Sequence, residues 1–167
     1  MKTTDSIAIV TDSTCDIPQN LIQRHKIKVL PAYVIWGDEQ FRDRIDIQAD
    51  DFYRRLAEDP VYPSSAHPTP ETFRKTYASL HDGGAEAIVV ITVSSALSGT
   101  YNAAVQAAAG SNRDVHVIDA KGPTMSLGWQ VLAAARARDA GGDVDAVITA
   151  AEEARAHMAQ LVTMNSI

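Results

Sequence analysis

Three short segments of the chain are rich in serine and threonine and could bind an anion. They are residues 11–16, 63–68 and 94–101, and none of them contains lysine or arginine. The third segment follows the apolar run 88–93 and precedes an alanine-rich helical pattern at 102–109. At the end of a buried strand, short hydroxyl groups and the free backbone N–H groups of a starting helix favour a small anion, such as a carboxylate or a phosphate.

Patterns typical of catalytic, metal or cofactor sites are absent from the sequence. It has no Gly-x-Ser-x-Gly elbow, no glycine-rich phosphate loop, no dinucleotide fingerprint and no His-Glu-x-x-His motif. Asp12, Asp16 and Asp119 lie at predicted strand ends and could act as metal ligands or bases, but a cap or turn explains Asp16 equally well. His67, in a proline-rich loop, could be functional, although a surface histidine without a specific role is more common. We therefore predict neither a metal nor a cofactor.

Strand and helix patterns alternate along the chain. The predicted strands are residues 7–10, 27–30, 32–36, 88–93 and 115–119; the predicted helices are a short one opened by Pro18, 48–58, one capped by Thr69, 102–109, 124–140 and one capped by Asp143. Asp16 is the predicted N-cap of the helix opened by Pro18, and residues 59–68, with three prolines, are predicted to be irregular. This succession predicts an α/β fold with a mostly parallel sheet and helices on both faces.

Composition is that of a soluble globular protein, with 46% hydrophobic and 22% charged residues. A formal net charge of −6 argues against nucleic acid as a partner. The single cysteine, Cys15, excludes an internal disulfide. No apolar run approaches the roughly 18 residues of a membrane span, and no secretory signal is visible. We predict a cytoplasmic protein that does not span a membrane, with transient membrane contact left open.

Four segments of the sequence resemble motifs of the DegV family. They are residues 9–18 (IVTDSTCDIP), 63–70 (PSSAHPTP), 94–101 (SSALSGTY) and 117–119 (VID) with the helix that contains 126–128 (SLG). The third is nearly unaltered from the family form, whereas the second has Ser65 to Pro68 where the family usually has Thr-Ser-Gln-Pro. The likeness runs from Ile7 to the end of the chain.

The resemblance implies a lipid-binding subunit without catalytic residues. DegV proteins enclose one long-chain fatty acid and, in bacterial fatty acid kinase systems, present its carboxylate to a separate ATP-dependent kinase subunit. The acyl phosphate then enters phospholipid synthesis. Carried over to this chain, the hydroxyls that bind the carboxylate are those of Ser65 and of Ser94 or Ser95. Weaker candidates near the site are Thr11, Asp12, Ser13, His67, Ser98 and Gly99.

An alternative interpretation is a phosphosugar- or phosphate-binding domain, or an enzyme domain, because serine-rich turns that open a helix also suit phosphate. The resemblance further predicts a domain division. Residues 1–160 are expected to form the fatty-acid-binding domain, and 161–167 to begin a second, missing domain. In the family that domain supplies a basic residue, a histidine and part of the acyl tunnel. We therefore expect a truncated protein that binds fatty acid weakly.

Overall fold

The computed structural model of the chain describes residues 6–161 and residue 163. The strands are β1 (Ile7–Asp12), β2 (Lys28–Leu30), β3 (Tyr33–Trp36), β4 (Glu39–Arg42), β5 (Ser64–Ala66), β6 (Ala87–Thr92) and β7 (Asp114–Asp119). The helices are α1 (Gln19–Arg24), α2 (Ala49–Glu58), α3 (Pro70–Asp82), α4 (Thr100–Ala109), α5 (Met125–Asp139) and α6 (Val144–Ala156), with a short 3-10 helix at Ser13–Cys15. Apart from residues 161 and 163, the predicted start of a second domain lies outside the described residues.

The main sheet has the strand order β2-β1-β6-β7, and all its strands are parallel. The residues of the central strand β6 are all buried, because helices cover both faces of the sheet. α1, α5 and α6 cover one face, where Ile9, Val89 and Leu127 are fully buried. α3 and α4 cover the other face, with Val90 and Phe73 in its core. The predicted α/β fold with helices on both faces is thereby confirmed.

A second, smaller sheet is antiparallel and has the order β4-β3-β5. Helix α2 accompanies it: the rings of Trp36 and Phe52 are 5.5 Å apart, in an edge-to-face arrangement. The guanidinium carbon of Arg55 lies 4.5 Å from the centre of the Trp36 ring, within the range of a cation–π contact. This sheet and α2 form one wall of the groove described below.

Two of the three predicted helix N-caps are correct and one is wrong. Thr69 and Asp143 are confirmed as N-caps, since each side chain accepts a backbone N–H from the first turn of its helix. Asp16 does not cap α1, whose N-cap is Pro18. Instead, Asp16 ends the 3-10 helix in a left-handed conformation, with φ at 52°. The carboxylate of Asp12 caps that 3-10 helix, so the chain turns earlier than predicted.

The proline-rich segment 59–68 contains a strand, so the prediction that it is irregular throughout is wrong. Ser64–Ala66 form β5 because they pair with Tyr33–Ile35 of β3. The pairing is short, and Pro63 and Pro68 flank it, as expected for residues that cannot donate a ladder hydrogen bond. A long-range partner therefore makes a strand of a segment whose own composition indicates a loop.

Candidate functional site

Two adjacent depressions lie beside the carboxyl ends of the main-sheet strands. The first, here called the hydroxyl cleft, has a volume of about 400 Å³, and its walls include Ser65, His67, Ser98, Gly99 and Thr100. The second, here called the long groove, has a volume of about 760 Å³ and runs between the main sheet and the small sheet. Both volumes are in the range of small-molecule sites.

The two depressions share two lining residues, Thr14 and Pro123. Thr14 belongs to the 3-10 helix after β1, and Pro123 precedes α5. A single elongated ligand could therefore place one end among hydroxyl groups and extend the rest along the groove.

The loop between β6 and α4 supplies the donors of the hydroxyl cleft. The hydroxyl oxygens of Ser98 and Thr100 are 2.9 Å apart, and the backbone N–H of Thr100 donates to Ser98 at 3.3 Å. The N-cap of α4 is Gly99, which has no side chain to occupy the first-turn N–H groups beyond that of Thr100. Those groups and the positive end of the helix dipole therefore favour an anion at this point.

His67 packs directly on Gly99. A Cβ atom added to Gly99 would lie 2.6 Å from Cε1 and 2.8 Å from Nε2 of the His67 ring. A glycine at position 99 therefore allows the imidazole to lie against the β6–α4 loop. Ser65, on β5, is exposed on the same cleft, and its hydroxyl makes no hydrogen bond with the described residues. The structure thus brings together Ser65, His67, Ser98 and Gly99, four of the residues that the sequence nominated.

Ser94 and Ser95 are directed toward protein groups and do not line the hydroxyl cleft. The Ser94 hydroxyl is buried and accepts a hydrogen bond from the backbone N–H of Ala96 at 3.2 Å. The Ser95 hydroxyl donates to Asp119 at 2.5 Å, and its backbone N–H donates to the same carboxylate at 3.2 Å. Direct contact between either serine and a ligand carboxylate stays a prediction.

Asp12 fastens the β1 end to the β6 end. One carboxylate oxygen accepts the backbone N–H of Val93 at 2.8 Å, and the other accepts the N–H and hydroxyl of Thr14 at 3.0 and 2.5 Å. Asp12 is only 1% exposed. Burial raises the pKa of this carboxyl, although the hydrogen bonds from Thr14 and Val93 oppose the increase. Its role is to hold the loops that form the cleft.

The two neighbours of Asp12, Thr11 and Ser13, also lie outside the hydroxyl cleft. Thr11 is fully buried, and its hydroxyl has no hydrogen-bond partner among the described residues. The Ser13 hydroxyl accepts the backbone N–H of Ala32 at 3.0 Å, which ties the end of β1 to the connection between β2 and β3. Ser13 lines the long groove rather than the hydroxyl cleft.

Asp119 holds the other side of the same β6–α4 loop and pairs with a cation that no sequence motif marked. Its carboxylate accepts the two Ser95 bonds described above and also the backbone N–H and ammonium of Lys121, at 2.9 and 2.8 Å. Burial would raise the pKa of Asp119, but the hydrogen bonds from Lys121 and Ser95 outweigh it and lower the pKa to about 2. The Lys121 side chain is 64% exposed.

The long groove contains three apolar or aromatic residues that lie outside every sequence motif: Val34, Phe52 and Tyr53. Ile17, from the first motif, also lines it, and Tyr53 is 66% exposed. The helical spacing of Phe52 predicts only that it lies on the apolar face of α2. The groove exists because tertiary packing brings the small sheet beside the β1 loop, so neither local period nor spacing could have revealed it.

An ion pair between Asp16 and Arg44 spans the long groove from the β1 loop to the loop before α2. Both residues have positive φ, 52° and 62°, and Thr124 at the same groove has φ at 56°. Non-glycine residues rarely adopt this conformation, and strained residues concentrate at ligand sites. The concentration of strain here supports the groove as a functional surface.

Neither a metal cluster nor a membrane span is found in the described part of the chain. Within residues 6–161 and 163, His, Cys, Asp and Glu side chains do not form a group of three or more that could hold a metal ion. In the same residues, every helix is too short or too polar to cross a bilayer.

Comparison with known proteins identifies the family. Residues 6–167 match the DegV family, which is described as a family of uncharacterised proteins. A DegV domain-containing protein of Streptomyces coelicolor is 39% identical over 148 residues, which cover 88% of this chain and 52% of that protein. A Thermotoga maritima protein named fatty acid-binding protein is 34% identical over 115 residues, covering 68% of this chain and 40% of the other.

Solved structures agree with the sequence matches. A structure titled as showing fatty acid binding by a DegV family protein of Thermus thermophilus superposes with a TM-score of 0.83 and 30% identity, over 90% of this chain and 54% of that one. DegV of Bacillus subtilis, titled a fatty acid binding protein, gives a TM-score of 0.84 and 27% identity with the same coverage. The chain spans about half the length of the curated relatives it matches. Because the family match extends over residues 6–167 and the fold superposes on a solved structure of a DegV family protein, the chain belongs to the DegV family.

Proposed function

We propose that this chain binds a long-chain fatty acid, with the carboxylate in the hydroxyl cleft and the acyl chain along the long groove. The observation that carries the proposal is that the two depressions adjoin at Thr14 and Pro123, with hydroxyl groups in one and the apolar side chains of Ile17, Val34 and Phe52 in the other. The relatives from Thermus thermophilus and Bacillus subtilis, described as fatty-acid-binding, support the same ligand class.

The electrostatics of the hydroxyl cleft favour a carboxylate over a phosphate. Its lining contains serine, threonine and histidine side chains and the start of α4, without lysine or arginine. Neutral donors are sufficient for a single negative charge, whereas a phosphate dianion is usually bound by arginine or lysine. The phosphosugar alternative is therefore the less well supported.

The two ends of the ligand contribute differently to binding. Each buried CH₂ group is worth about 0.8 kcal/mol, so an acyl chain of about ten buried carbons contributes about 8 kcal/mol before association costs. A hydrogen bond to the head group contributes about 0.5–1.5 kcal/mol. The groove therefore supplies affinity, and the hydroxyl cleft fixes where the carboxylate lies.

A fixed and weakly neutralised carboxylate is suited to transfer chemistry by a partner. In this proposal, the chain presents the carboxylate to a separate ATP-dependent kinase subunit, which phosphorylates it to an acyl phosphate. Residues 1–160 are the fatty-acid-binding domain in this scheme. This chain spans about half the length of its curated relatives, and we expect it to bind the ligand weakly by itself.

The test compares Gly99→Ala with Gly110→Ala. The new methyl group at position 99 displaces the His67 ring, whereas at position 110 the nearest atom is 3.9 Å from the added Cβ. Calorimetric titration with palmitate should show an affinity loss of about three- to tenfold for Gly99→Ala, equivalent to about one hydrogen bond, and no change for Gly110→Ala. Acyl phosphate formation with an added fatty acid kinase subunit should decrease in the same order.

Two results would overturn the proposal. The first is equal palmitate affinity in both variants and the unmodified chain. The second is saturable binding of glucose 6-phosphate that Gly99→Ala weakens while palmitate does not bind, since this outcome assigns the hydroxyl cleft to a phosphate ligand.

A further inference from the structure

A third cleft, of about 300 Å³, lies between α3 and α4 and shares no lining residue with the hydroxyl cleft or the long groove. Tyr77, Ala78 and Ala107 form its apolar part. Its polar rim consists of Glu71, Arg74 and Lys75 from α3 and Ser111 and Arg113 from the segment after α4.

The rim is basic although the chain as a whole carries a formal charge of −6. Three cationic side chains face one carboxylate, that of Glu71. Glu71 is already engaged, because Arg74 donates to it at 2.9 Å and the Lys75 ammonium lies 3.9 Å away. Arg113 forms no ion pair with any of the residues described in the structure. The cleft therefore has a net positive charge that its own residues do not neutralise.

Arg113 also has an unusual hydrogen-bond deficit. Its Nε atom is buried and makes no hydrogen bond within the described part of the chain. Its backbone N–H donates to the Ser111 hydroxyl oxygen at 3.1 Å, which leaves the hydroxyl proton of Ser111 available to a ligand. A buried donor of a charged group is costly when it lacks an acceptor, and a turn of the Arg113 side chain toward an anion in the cleft would lower that cost.

The position of Arg113 after the C-terminus of α4 allows a different role, in which the cation interacts with the helix dipole. That interaction requires only a positive charge and leaves Nε without an acceptor. The planar guanidinium, by contrast, presents paired N–H donors that match two oxygens of one oxyanion. Lysine at position 113 would keep the charge and lose this geometry.

We propose that the α3–α4 cleft binds a phosphate group, held by the Arg113 guanidinium with Ser111, Arg74 and Lys75 around it. Its volume of about 300 Å³ is sufficient for a phosphate group or a small phosphomonoester. The phosphate can be free in solution or be the headgroup of an anionic lipid. The site is independent of the fatty-acid proposal, since none of its residues belongs to the hydroxyl cleft or the long groove.

The experiment titrates the chain with inorganic phosphate by calorimetry, at an ionic strength held constant with potassium chloride. Arg113→Gln should weaken phosphate binding by at least about tenfold, because it removes charge-assisted hydrogen bonds. Arg113→Lys should weaken binding severalfold while leaving the urea midpoint unchanged, since the charge beside the helix end remains. The matched control is Arg24→Gln, which removes the same charge from an exposed arginine that has no ion pair with the described residues.

A second arm identifies the source of the phosphate group. Vesicles of phosphatidylcholine with and without phosphatidic acid are sedimented with the chain. Retention that requires both phosphatidic acid and Arg113 assigns a lipid headgroup, and saturable binding of inorganic phosphate alone assigns a free ligand. The proposal is overturned if neither probe binds saturably, if Arg24→Gln and Arg113→Gln have equal effects, or if Arg113→Lys binds phosphate as the unmodified chain does.

Discussion

Two carboxylates accept hydrogen bonds from the β6–α4 loop on opposite sides: Asp12 at the end of β1 and Asp119 at the end of β7. Asp12 accepts the backbone N–H of Val93, and Asp119 accepts the backbone N–H and hydroxyl of Ser95. Asp12 is enclosed and bonded only to neutral donors, whereas Asp119 lies beside the ammonium of Lys121. Their pKa values consequently shift in opposite directions.

Asp12 accepts its hydrogen bonds in a buried position, whereas those of Asp119 involve exposed side chains. The partners of Asp12 are the buried backbone N–H of Val93 and the adjacent turn at Thr14, and Asp12 itself is buried. The Ser95 and Lys121 side chains are exposed, so either can leave Asp119 and bond to water instead. The β7 side of the loop can therefore change its hydrogen bonds more easily than the β1 side, where Asp12 is buried.

The largest expected effect comes from Asp12→Ala. Removing the carboxylate leaves the Val93 N–H without an acceptor in a buried position, together with the two Thr14 donors. We expect the free energy of unfolding to decrease by about 3 kcal/mol, measured by urea denaturation. Asp143→Ala is the matched control, since it removes an exposed helix cap worth about 1 kcal/mol. Equal losses in the two variants would contradict the structural role given to Asp12.

A smaller effect is expected from Asp119→Asn at neutral pH. The lowered pKa of Asp119, about 2 against an ordinary value of 3.8, means that its ionised form stabilises the fold by about 2 kcal/mol. Urea denaturation at pH 7 should therefore show a loss of that order, smaller than that of Asp12→Ala. Asp51→Asn, which removes the charge of an exposed ion pair with Arg54, should change stability little. No difference between these two asparagine variants would show that the Lys121–Asp119 contact does not stabilise the fold.

The smallest expected effect is a change with pH in the unfolding free energy that each variant loses. It is also the most direct test of the difference between Asp12 and Asp119. For Asp119, whose folded-state pKa is lowered, the stabilisation is complete above about pH 4 and disappears as the pH falls to about 2. For Asp12, whose folded-state pKa is raised, the unmodified chain instead gains stability as the pH falls through that pKa. The difference in unfolding free energy should therefore shrink in acid for Asp119→Asn and grow for Asp12→Ala. If the loss of unfolding free energy changed with pH in the same way in both variants, the proposed electrostatic difference between Asp12 and Asp119 would be wrong.

Strand and cap positions are predictable where they depend on nearby residues. The run of apolar residues at 88–93 predicts a buried strand, and β6 occupies 87–92. The caps at Thr69 and Asp143 follow from side chains that reach N–H groups only three residues away. The prediction for Asp16 is wrong because the competing cap, Asp12, acts on an irregular turn that no period reveals.

For the site, the residue types are predictable and their roles are not. The motifs predict Ser65, His67, Ser98 and Gly99 as site residues, and all four line one cleft. The same motifs bring forward Ser94 and Ser95, whose hydroxyls bond within the protein. A sequence pattern shows that hydroxyl groups are present, but the direction of each depends on partners such as Asp119, which lies 24 residues from Ser95 along the chain.

The sequence alone determined the fold class and the family, because alternating apolar periods and contiguous motifs are properties of short segments. Only the tertiary structure decided which groups meet. Ser64–Ala66 become a strand because β3 offers them a partner. The absence of a side chain at position 99 matters because the His67 ring, 32 residues earlier, lies on it. The long groove arises because the loop after β1 lies beside β3 and α2, and such contacts depend on packing between distant segments, which no local pattern records.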